Sequence, residues 1–523
     1  MQNFISFVKR HSIFFQSILL VAVLLLSAYL RLYKISEYMT FLGDEGRDVL
    51  IVKRMIVDHK FTLLGPTASV GGFFLGPIYY YFMLPFLWLW NLDPTGPAVM
   101  VALFGILTVY LVYRIGKDFF DYRTGIIASL LYSLSPIVIA YSRSSWNPNV
   151  VPFFATLLVY ILFKYSQEQK NRYVCFAGIC LGIGIQLHYL FTFLFPLVLL
   201  WVFLFRRRAF IKIFVSLVIG FIIGASPFLL FELRHGFANI RSIINFILEG
   251  KDTGFALAQY ASILYDVFFR LFGRLVLRLP QRDIYDNFSK IQIHLWVILT
   301  FIAAFLSTVF LFLTVRSQVI FRKFIPMHWN KNGALLLFLW LLVPLMCFGF
   351  YRRSIYEYYF GIFFPAPFLI VSVFLSWIAR FRYVWLVSFV SLVFLVYINW
   401  LGMPFWYPPN RQLEQVRRIS WEAYQMTEGK PFNFALITGQ NSDHAYRFFF
   451  EVWGNPPVTI ENTVIDPERI TVTDRLIVLC EIIDCKPLGH PLWEIAGFGR
   501  AEIVETKTVP FVTIHKLVHS MSQ

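Results

Sequence analysis

The sequence predicts a mainly α-helical, polytopic membrane protein with a small α/β domain at its C-terminal end. Of its 523 residues, 58% are hydrophobic and only 15% are charged, which is too apolar for a soluble protein of ordinary composition. Apolar runs long enough to cross a membrane recur between residues 12 and 401. After residue 402 the apolar runs become short and strand-like, so the tail belongs to a different class of structure.

Eleven apolar segments predict transmembrane helices, because a helix needs roughly 20 mainly apolar residues to cross the hydrocarbon core. The segments are 12–33, 97–116, 124–141, 150–165, 173–188, 189–205, 210–232, 291–315, 333–350, 357–379 and 383–401. A further stretch, 76–91, is short and aromatic and contains Pro77 and Pro85. We interpret it as a helix that lies in the outer membrane interface.

The basic residues orient these helices. The formal charge is +16, yet Lys and Arg lie in short clusters between apolar runs, which indicates contact with anionic lipid and argues against nucleic acid as a partner. If 76–91 does not cross the membrane, every cluster falls on the cytoplasmic side. The clusters are Lys9/Arg10, Arg114/Lys117/Arg123, Lys164/Lys170/Arg172, Arg206 to Arg208, Arg316/Arg322/Lys323 and Arg380/Arg382. We therefore expect an integral protein of the plasma or inner membrane.

This topology predicts two domains. Residues 1–401 form the membrane domain, whose outer face carries a first loop, 34–96, and a long loop, 233–290, and residues 402–523 form an extracytoplasmic α/β domain. The predicted elements of the second domain are strands at 434–438, 476–480 and 511–515 and a helix at 443–453. Its two cysteines, Cys480 and Cys485, either pair in an oxidising compartment or stay free thiols.

An acidic stretch, 41–54, follows the first apolar segment directly. It contains Asp44, Glu45 and Asp48 and continues into an amphipathic pattern that predicts a short helix on the membrane surface. One interpretation is structural, with Asp44 capping this helix and Glu45 neutralising its N-terminal dipole. The other is catalytic, because a carboxylate at this boundary can act as a general base towards an acceptor hydroxyl or amine.

Several cations lie on the outer side, against the positive-inside rule. Arg352 and Arg353 follow the ninth segment, and Arg234 and His235 follow the seventh. Their expected partner is an anionic group at headgroup depth, and Arg suits bidentate contact with phosphate. The phosphate belongs either to a substrate or to membrane phospholipid, and the sequence leaves both open.

The long outer loop carries Arg270, Arg274, Arg278 and Arg282 at intervals of four residues. At about 100° per residue the first three share one face of a helix, which we expect to end at Pro280. We interpret this helix as interfacial and mainly structural.

Further candidate substrate-binding residues lie at the outer ends of other segments. His188 and Tyr189 end the fifth segment, although a lone His there is more typical of an interface residue than of a ligand. The second outer loop offers Arg143, Asn147 and the flat ring of Trp146. The sequence contains no metal-ligand spacing, catalytic serine arrangement or phosphate-binding glycine loop. No cofactor is therefore predicted, and a divalent metal is compatible with the chemistry but not indicated.

Taken in chain order, these features resemble the GT-C membrane glycosyltransferases. The acidic pair is followed by LGPIYYYFMLPFLWLW, SPIVIAYSRSSWNPNVVPFFATL and GIGIQLHYLFTFLFPLVLLW. Within that class the sequence is most similar to the protein O-mannosyltransferase and aminoarabinose-transferase group (glycosyltransferase family 39-like), over residues 10–400 and most strongly over 40–205. No single motif is specific, and the order and topology of all of them carry the resemblance.

The resemblance implies a sugar donor on a polyprenyl phosphate and a protein, glycan or lipid acceptor. It also implies an inverting transfer at the outer leaflet, assisted by a first-loop carboxylate. By position, Asp44 matches that carboxylate and Glu45 its neighbour. His188 falls where relatives often have a lysine that faces the lipid phosphate, and Tyr358 and Tyr359 fall where relatives have a cation or a tyrosine pair.

The sequence departs from this group in two places. Asn147 and Asn149 stand in the second loop, where many relatives have an acid, so the first-loop acid would work largely alone. A histidine at 188 would leave phosphate recognition to be shared with Arg352 or Arg353. The predicted function is a polyprenyl-phosphate-dependent glycosyltransferase, and the alternatives are a transporter or flippase, or a polymerase or ligase, that acts on lipid-linked sugars.

Overall fold

The computed structural model describes residues 2–68, 72–248, 256–316 and 328–520. Arg322 and Lys323, part of one predicted basic cluster, lie outside the described residues. In chain order the helices are α1 (Gln2–Leu32), α2 (Ile35–Tyr38), α3 (Gly43–Val57), α4 (Ile78–Leu89), α5 (Thr95–Phe119), α6 (Tyr122–Leu134), α7 (Pro136–Tyr141), α8 (Val151–Glu168), α9 (Asn171–Leu187), α10 (Phe195–Arg206), α11 (Phe210–Gly224), α12 (Ser226–Arg234), α13 (Ala238–Leu248), α14 (Leu257–Leu275), α15 (Lys290–Arg316), α16 (Lys331–Phe348), α17 (Pro365–Ile378), α18 (Trp385–Trp400), α19 (Gln412–Met426), α20 (His444–Val452) and α21 (Trp493–Ala496). The strands are β1 (Asn433–Ile437), β2 (Arg475–Cys480), β3 (Ala501–Val509) and β4 (Val512–His519).

The chain forms two compact units. The first unit contains Met1–Tyr33, Thr62–Phe82 and Val99–Pro408, and the second contains Lys34–Phe61, Met83–Ala98 and Pro409–Gln523. The residues between α1 and the stretch before α4 are thus divided between the two units, and the acidic stretch belongs to the second.

The first unit is a bundle of apolar helices. All eleven apolar segments that the sequence singles out are helical over most of their length. Within the described residues, six helical spans are long and apolar enough to cross a membrane, and a bent pair, Glu357–Phe363 with Pro365–Ile378, brings the number to seven. The protein is therefore an integral membrane protein, while the count of eleven crossings stays a prediction. The stretch 76–91 is helical as α4, and its position in the interface is likewise still a prediction.

Several predicted segments consist of two shorter helices, and proline explains where they divide. Pro136 starts α7 after a break at Ser135, and Pro227 lies in the first turn of α12 after a break at Ala225. Proline has no amide hydrogen to donate, so it is tolerated at the first turn of a helix and breaks a helix that would continue through it.

Glycines set the closest helix contact in the first unit. A Cβ atom on Gly178 of α9 would overlap the backbone of α11, and one on Gly220 of α11 would overlap the backbone of α9. Small residues allow membrane helices to approach to backbone contact. This contact fixes the direction of α9, whose C-terminal end leads directly to His188.

The second unit contains a four-stranded sheet in the order β1-β2-β4-β3. β1 pairs with β2 in parallel, and β4 runs antiparallel to both β2 and β3. The predicted strands and the predicted helix near residue 443 are all present. β3 is an additional edge strand, which sequence patterning missed because most of its residues are exposed and it has no buried apolar face.

Helix α3 packs against α20 within the second unit. Gly43 and Gly46 lie on the same face of α3, and a Cβ atom on Gly46 would overlap the backbone of Ala445. The ring of Phe41 contacts those of Phe448 and Phe449, at centroid distances of 6.4 and 6.0 Å. At the other end of α3, Glu451 of α20 forms ion pairs with Lys53 and Arg54. The acidic stretch is therefore held along its length by the C-terminal part of the chain.

We expect Gly46→Ala to destabilise the second unit, because the new methyl group would have to displace the backbone of α20. Overpacking of this kind costs about 1–3 kcal/mol, whereas glycine to alanine in an open helix is normally stabilising. Gly439→Ala is the matched control, since a Cβ atom there has nothing within 4 Å. Thermal unfolding of the purified variants measures both, and equal melting temperatures would contradict the close contact.

Candidate functional site

The first candidate site lies at the start of α3, in the second unit. The helix begins at Gly43, and Leu42 is its extended N-cap residue. Glu45, the third helical residue, accepts the Leu42 amide hydrogen through Oε2 at 3.1 Å. The prediction that Asp44 caps the helix is wrong. The close contact of Gly43 with Ser442 accompanies a helix start two residues earlier, which places Asp44 in the first turn and gives the capping bond to Glu45.

Asp44 is an oriented, solvent-accessible carboxylate. Its side chain is 56% exposed, and Oδ1 accepts a hydrogen bond from Nη1 of Arg47 at 2.9 Å. Arg47 is itself held by Asp48, whose side chain is fully buried and whose Oδ1 accepts from Nε at 3.0 Å and from Nη2 at 2.8 Å. Oδ2 of Asp44 makes no hydrogen bond with any described residue. One carboxylate oxygen is thus fixed and the other is open to accept a proton.

Glu45 lies in a different environment from its neighbour. The side chain is buried, and burial raises its pKa from an ordinary value of 4.5 to about 7. The hydrogen bonds from backbone amides oppose this shift, and the nearby charges of Asp44 and Asp48 add to it. A carboxyl group that keeps its proton to about pH 7 suits a structural role at the helix start, so Asp44 is the better candidate base of the pair.

The loop between β1 and α20 contributes residues that the sequence analysis did not single out. Asn441 accepts the Gly43 amide hydrogen at 3.0 Å, and Nδ1 of His444 lies 2.9 Å from Oγ of Ser442. The charges nearest to His444 include those of Asp443, Arg47 and Asp44. Turn-forming residues after a predicted strand were the only signal in the sequence, and they do not reveal a partner in α3.

The second candidate site is a cluster of rings in the first unit. It consists of His188, Tyr189, Tyr351, Tyr358 and Tyr359, which we call the tyrosine cluster. The Tyr189 hydroxyl lies 3.0 Å from that of Tyr351 and donates to that of Tyr359 at 3.5 Å. The His188 ring stacks on Tyr189 at 4.6 Å, and its centroid lies 5.2 Å from that of the tilted Tyr359 ring. Four predicted site residues therefore come together here, joined by Tyr351.

His188 is held as a neutral ring. It is buried, and Nδ1 accepts the Leu190 amide hydrogen at 3.2 Å. A nitrogen that accepts a hydrogen bond carries no proton, so only Nε2 has one. His188 can offer a hydrogen bond in this arrangement but not a positive charge.

The cations nearest in sequence to this cluster are Arg352 and Arg353. Arg352 is half-buried, its Nε atom is buried, and it forms no hydrogen bond or ion pair with the residues that the structure describes. Arg353 is exposed. A buried guanidinium nitrogen with an unused donor is costly, so it indicates a missing anionic or polar partner.

Two other predicted binding residues, Arg143 and Asn147, form hydrogen bonds to backbone carbonyl groups. Arg143 is buried and donates to the carbonyl oxygens of Leu30 at 2.8 Å and Tyr33 at 2.6 Å, which satisfies carbonyl groups at the end of α1. Asn147 donates to the carbonyl oxygen of Leu187 at 2.6 Å. Arg143 thus fixes the end of α1, and Asn147 fixes the backbone directly before His188.

Arginines of the long loop support the tyrosine cluster. Nε of Arg274 lies 3.1 Å from Oε1 of Glu357, and Arg270 donates two hydrogen bonds of 2.9 Å to the carbonyl oxygen of Ile355. The helix that carries them ends at Leu275 and not at Pro280. Arg278 adopts a left-handed conformation with φ 55°, so it is not on the shared face that the spacing predicts.

An apolar cavity adjoins the tyrosine cluster. It encloses about 330 Å³ and is lined mainly by aromatic and aliphatic side chains, among them Phe73, Phe246 and Phe350, with Tyr189 and Tyr351 also in the wall. Oε1 of Gln186, also in the wall, has no hydrogen-bond partner among the described residues. The cavity therefore combines a mainly apolar wall with the hydroxyl groups of Tyr189 and Tyr351 and the amide of Gln186, which suits an amphipathic ligand.

No group of His, Cys, Asp and Glu side chains in the described ranges is arranged to hold a metal ion.

Known proteins share this architecture. Residues 76–231 match the family model described as dolichyl-phosphate-mannose-protein mannosyltransferase. The crystal structure of ArnT from Cupriavidus metallidurans bound to undecaprenyl phosphate superposes with a TM-score of 0.61 at 11% identity, and the match covers 96% of this chain and 97% of that chain. The fold is that of the GT-C glycosyltransferases. The predicted resemblance is confirmed, and residues 76–231 include α4, the second outer loop and His188.

Other structures with the GT-C fold give weaker matches. ArnT from Cupriavidus metallidurans in the apo state has a TM-score of 0.58 at 13% identity, covering 96% of this chain and 97% of that chain. The archaeal oligosaccharyltransferase AglB from Archaeoglobus fulgidus, in complex with an inhibitory peptide and a dolichol-phosphate, has a TM-score of 0.49 at 12% identity, covering 89% of this chain and 69% of that chain. The sequences of curated proteins give no match.

The buried Glu45 predicts a pH-dependent stability. Because its folded pKa is raised, its contribution to stability is fully present below pH 4.5 and is lost as the pH rises through about 7. The loss is at most ~3 kcal/mol. We expect Glu45→Gln to remove this dependence, since the amide oxygen still accepts from Leu42 and no charge is buried.

Unfolding midpoints at pH 5 and pH 8 measure the effect. Glu414→Gln, at an exposed position of α19, is the control and should keep the pH dependence of the native chain. A native chain whose midpoint rises from pH 5 to pH 8 relative to Glu45→Gln would contradict the argument.

Proposed function

We propose that this protein transfers a sugar from a polyprenyl-phosphate donor to an acceptor at the outer face of the membrane, with inversion at the anomeric carbon. Its GT-C fold supports a glycosyltransferase. The observation that carries the proposal is the carboxylate of Asp44, which has one oxygen held by Arg47 and the other open.

The chemistry assigns Asp44 the role of general base. As the acceptor hydroxyl or amine attacks the anomeric carbon, its proton passes to Oδ2 of Asp44, and the bond between that carbon and the phosphate oxygen breaks. Attack from the side opposite the phosphate inverts the configuration. A phosphate ester is already a good leaving group, so the step needs no general acid. Arg47, anchored on buried Asp48, fixes the direction of the accepting carboxylate.

The first unit supports a lipid-phosphate donor. An apolar cavity of about 330 Å³ suits part of a polyprenyl chain, and the hydroxyl groups of Tyr189 and Tyr351 suit a phosphate. The unused donors of Arg352, with the exposed Arg353, would meet the negative charge that develops on the departing phosphate. The structure of ArnT, which was determined with undecaprenyl phosphate, supports this class of ligand.

The placement of the α/β part outside the cytoplasm rests on two arguments. The positive-inside rule puts the basic clusters on the cytoplasmic side, and in that orientation the α/β part lies on the opposite side of the membrane. Cys480 and Cys485 form a disulfide, with Cα atoms 5.9 Å apart, and disulfides persist mainly in oxidising compartments.

Asp44→Asn should lower transfer by about two to four orders of magnitude, because it removes the proton acceptor and keeps the size of the side chain. Asp58→Asn, just after the C-terminal end of α3, is the matched control and should leave transfer unchanged. Mass spectrometry of envelope glycans, lipids and proteins from cells with and without the protein names the sugar and its acceptor. The amount of that product then measures the variants. Full activity of a folded Asp44→Asn protein would overturn the proposal, and would favour a transporter or a polymerase.

Filling the apolar cavity should weaken the binding of the lipid. Ile243→Trp would exclude about two methylene groups of the chain, worth roughly 0.8 kcal/mol each, so the Kd for undecaprenyl phosphate should rise about tenfold. Ile244→Trp is the control, because Ile244 is exposed and does not line the cavity. Titration of the purified variants with undecaprenyl phosphate in detergent measures the change. Equal affinities would place the lipid elsewhere.

A further inference from the structure

We propose that Asn441 and Glu481, two residues of the α/β part, are positioning residues for Asp44. This inference rests on the proposed role of Asp44 as general base. It gives the C-terminal part of the chain a direct share in catalysis, through contacts that lie wholly within the second unit.

The first contact joins Asn441 to the start of α3. The amide groups of a first helical turn have no partner within the helix, so a partner from outside fixes where the helix begins. Oδ1 of Asn441 accepts the amide hydrogen of Gly43 at 3.0 Å. The same oxygen accepts the amide hydrogen of Ser442 at 2.9 Å. Gly43 is the first residue of α3 and directly precedes Asp44.

The second contact fixes the direction of the Asn441 amide. Its Nδ2 atom donates to Oε1 of Glu481 at 3.0 Å. Two amide hydrogens on one side and a carboxylate on the other leave a single orientation of the side chain that satisfies every group. Asn441 therefore connects the Gly43 backbone to Glu481 in one geometry.

Glu481 is fixed in turn by the ends of two parallel strands. It follows β2 directly and accepts from the hydroxyl of Thr438, which follows β1, at 2.7 Å. The buried Tyr446 of α20 donates to the same carboxylate at 2.6 Å. The disulfide between Cys480 and Cys485 closes the short loop that contains Glu481. The carboxyl ends of parallel strands are where α/β folds commonly place functional groups.

The position of Asp44 depends on that of Gly43, because the two residues are adjacent at the start of α3. Packing of Gly46 on Ala445 of α20, and of Gly43 on Ser442 in the loop before it, sets how closely the two helices approach. The hydrogen bond to Gly43 sets where the first turn begins, and Asp44 is the next residue. A catalytic group misplaced by about 1 Å can cost about 100-fold in rate, so a shift at Gly43 reaches the reaction even if the fold persists.

Asn441→Asp tests the second contact. It keeps an acceptor for Gly43 but replaces the donor to Glu481 with a like charge, so it should lower the rate of product formation by about 10- to 100-fold. Glu481→Gln alone should lower the rate by less than Asn441→Asp does, because one of its two acceptor oxygens is lost while the remaining amide oxygen still accepts from Asn441. The double variant Asn441→Asp with Glu481→Gln should recover most of the rate, because the new amide then donates to the new carboxylate.

Three measurements on each variant separate positioning from stability. Product formation in cells is compared at equal protein level, and the purified proteins are tested for melting temperature and for binding of undecaprenyl phosphate. We expect Asn441→Asp to bind undecaprenyl phosphate as the native chain does while it forms product slowly. Asn455→Asp, which adds the same charge at a site bonded to Thr427 and Lys430, is the control and should keep the full rate.

The inference is overturned if Asn441→Asp forms product at the native rate, if its rate falls only as far as its folded fraction does, or if the double variant recovers nothing. Asp44→Asn in the same cells tests the proposed function separately. An active Asp44→Asn protein would refute the general base, whereas an inactive one together with an active Asn441→Asp protein would refute only the positioning role.

Discussion

The close approach of α3 to α20 is the constraint on which the second unit depends. Gly43 and Gly46 are spaced three residues apart on one helix face, and a side chain at either position would overlap α20 or the loop before it. Glycine weakens a helix, so its occurrence twice in the first turn of α3 requires a compensating gain. The gain here is contact: the helix start lies close enough for Asn441 to accept the Gly43 amide hydrogen and for Ser442 to touch Gly43. This contact therefore determines where Asp44 and Glu45, the acids of the first turn, are placed.

Three carboxylates within five residues then acquire three different roles, because the helix directs them into three environments. Asp44 faces solvent, Glu45 turns back to the Leu42 amide, and Asp48 is buried against Arg47. Burial favours the protonated form of an acid unless a cation compensates for it, so Glu45 has a raised pKa and Asp48 has an arginine. Arg47 links the buried acid to the exposed one and holds the surface carboxylate of Asp44 in one orientation.

The sequence was sufficient for features that depend on local periodicity. The apolar helices, the strand β2 and the presence of a short helix after the first apolar segment all follow from the spacing of apolar residues. The partners of polar groups could not be predicted, because they lie far apart in the chain: 398 residues separate Gly43 from Asn441, and 83 separate Arg274 from Glu357. The error at Asp44 has a similar cause. Aspartate is a good N-cap by propensity, but the helix starts at Gly43, where only a glycine fits against Ser442, and only the fold reveals that contact.

The tyrosine cluster of the first unit is the part of the molecule to which we assign the lipid phosphate, and it contains no lysine. A histidine at 188 was expected to share the charge of the lipid phosphate, yet its Nδ1 atom is occupied by the Leu190 amide and the ring is neutral. Asn147 fixes the backbone directly before it. The ring therefore belongs to a rigid aromatic framework that offers hydroxyl and imidazole hydrogen bonds, while positive charge is left to Arg352 and Arg353. Neutral donors that are fixed in place cost no reorganisation when charge develops, and a half-buried arginine with unused donors gains more from a phosphate than a fully hydrated one would. Under the proposed function, the hydrogen bonds to the phosphate therefore come from the rings of the tyrosine cluster, and the positive charge comes from Arg352 and Arg353.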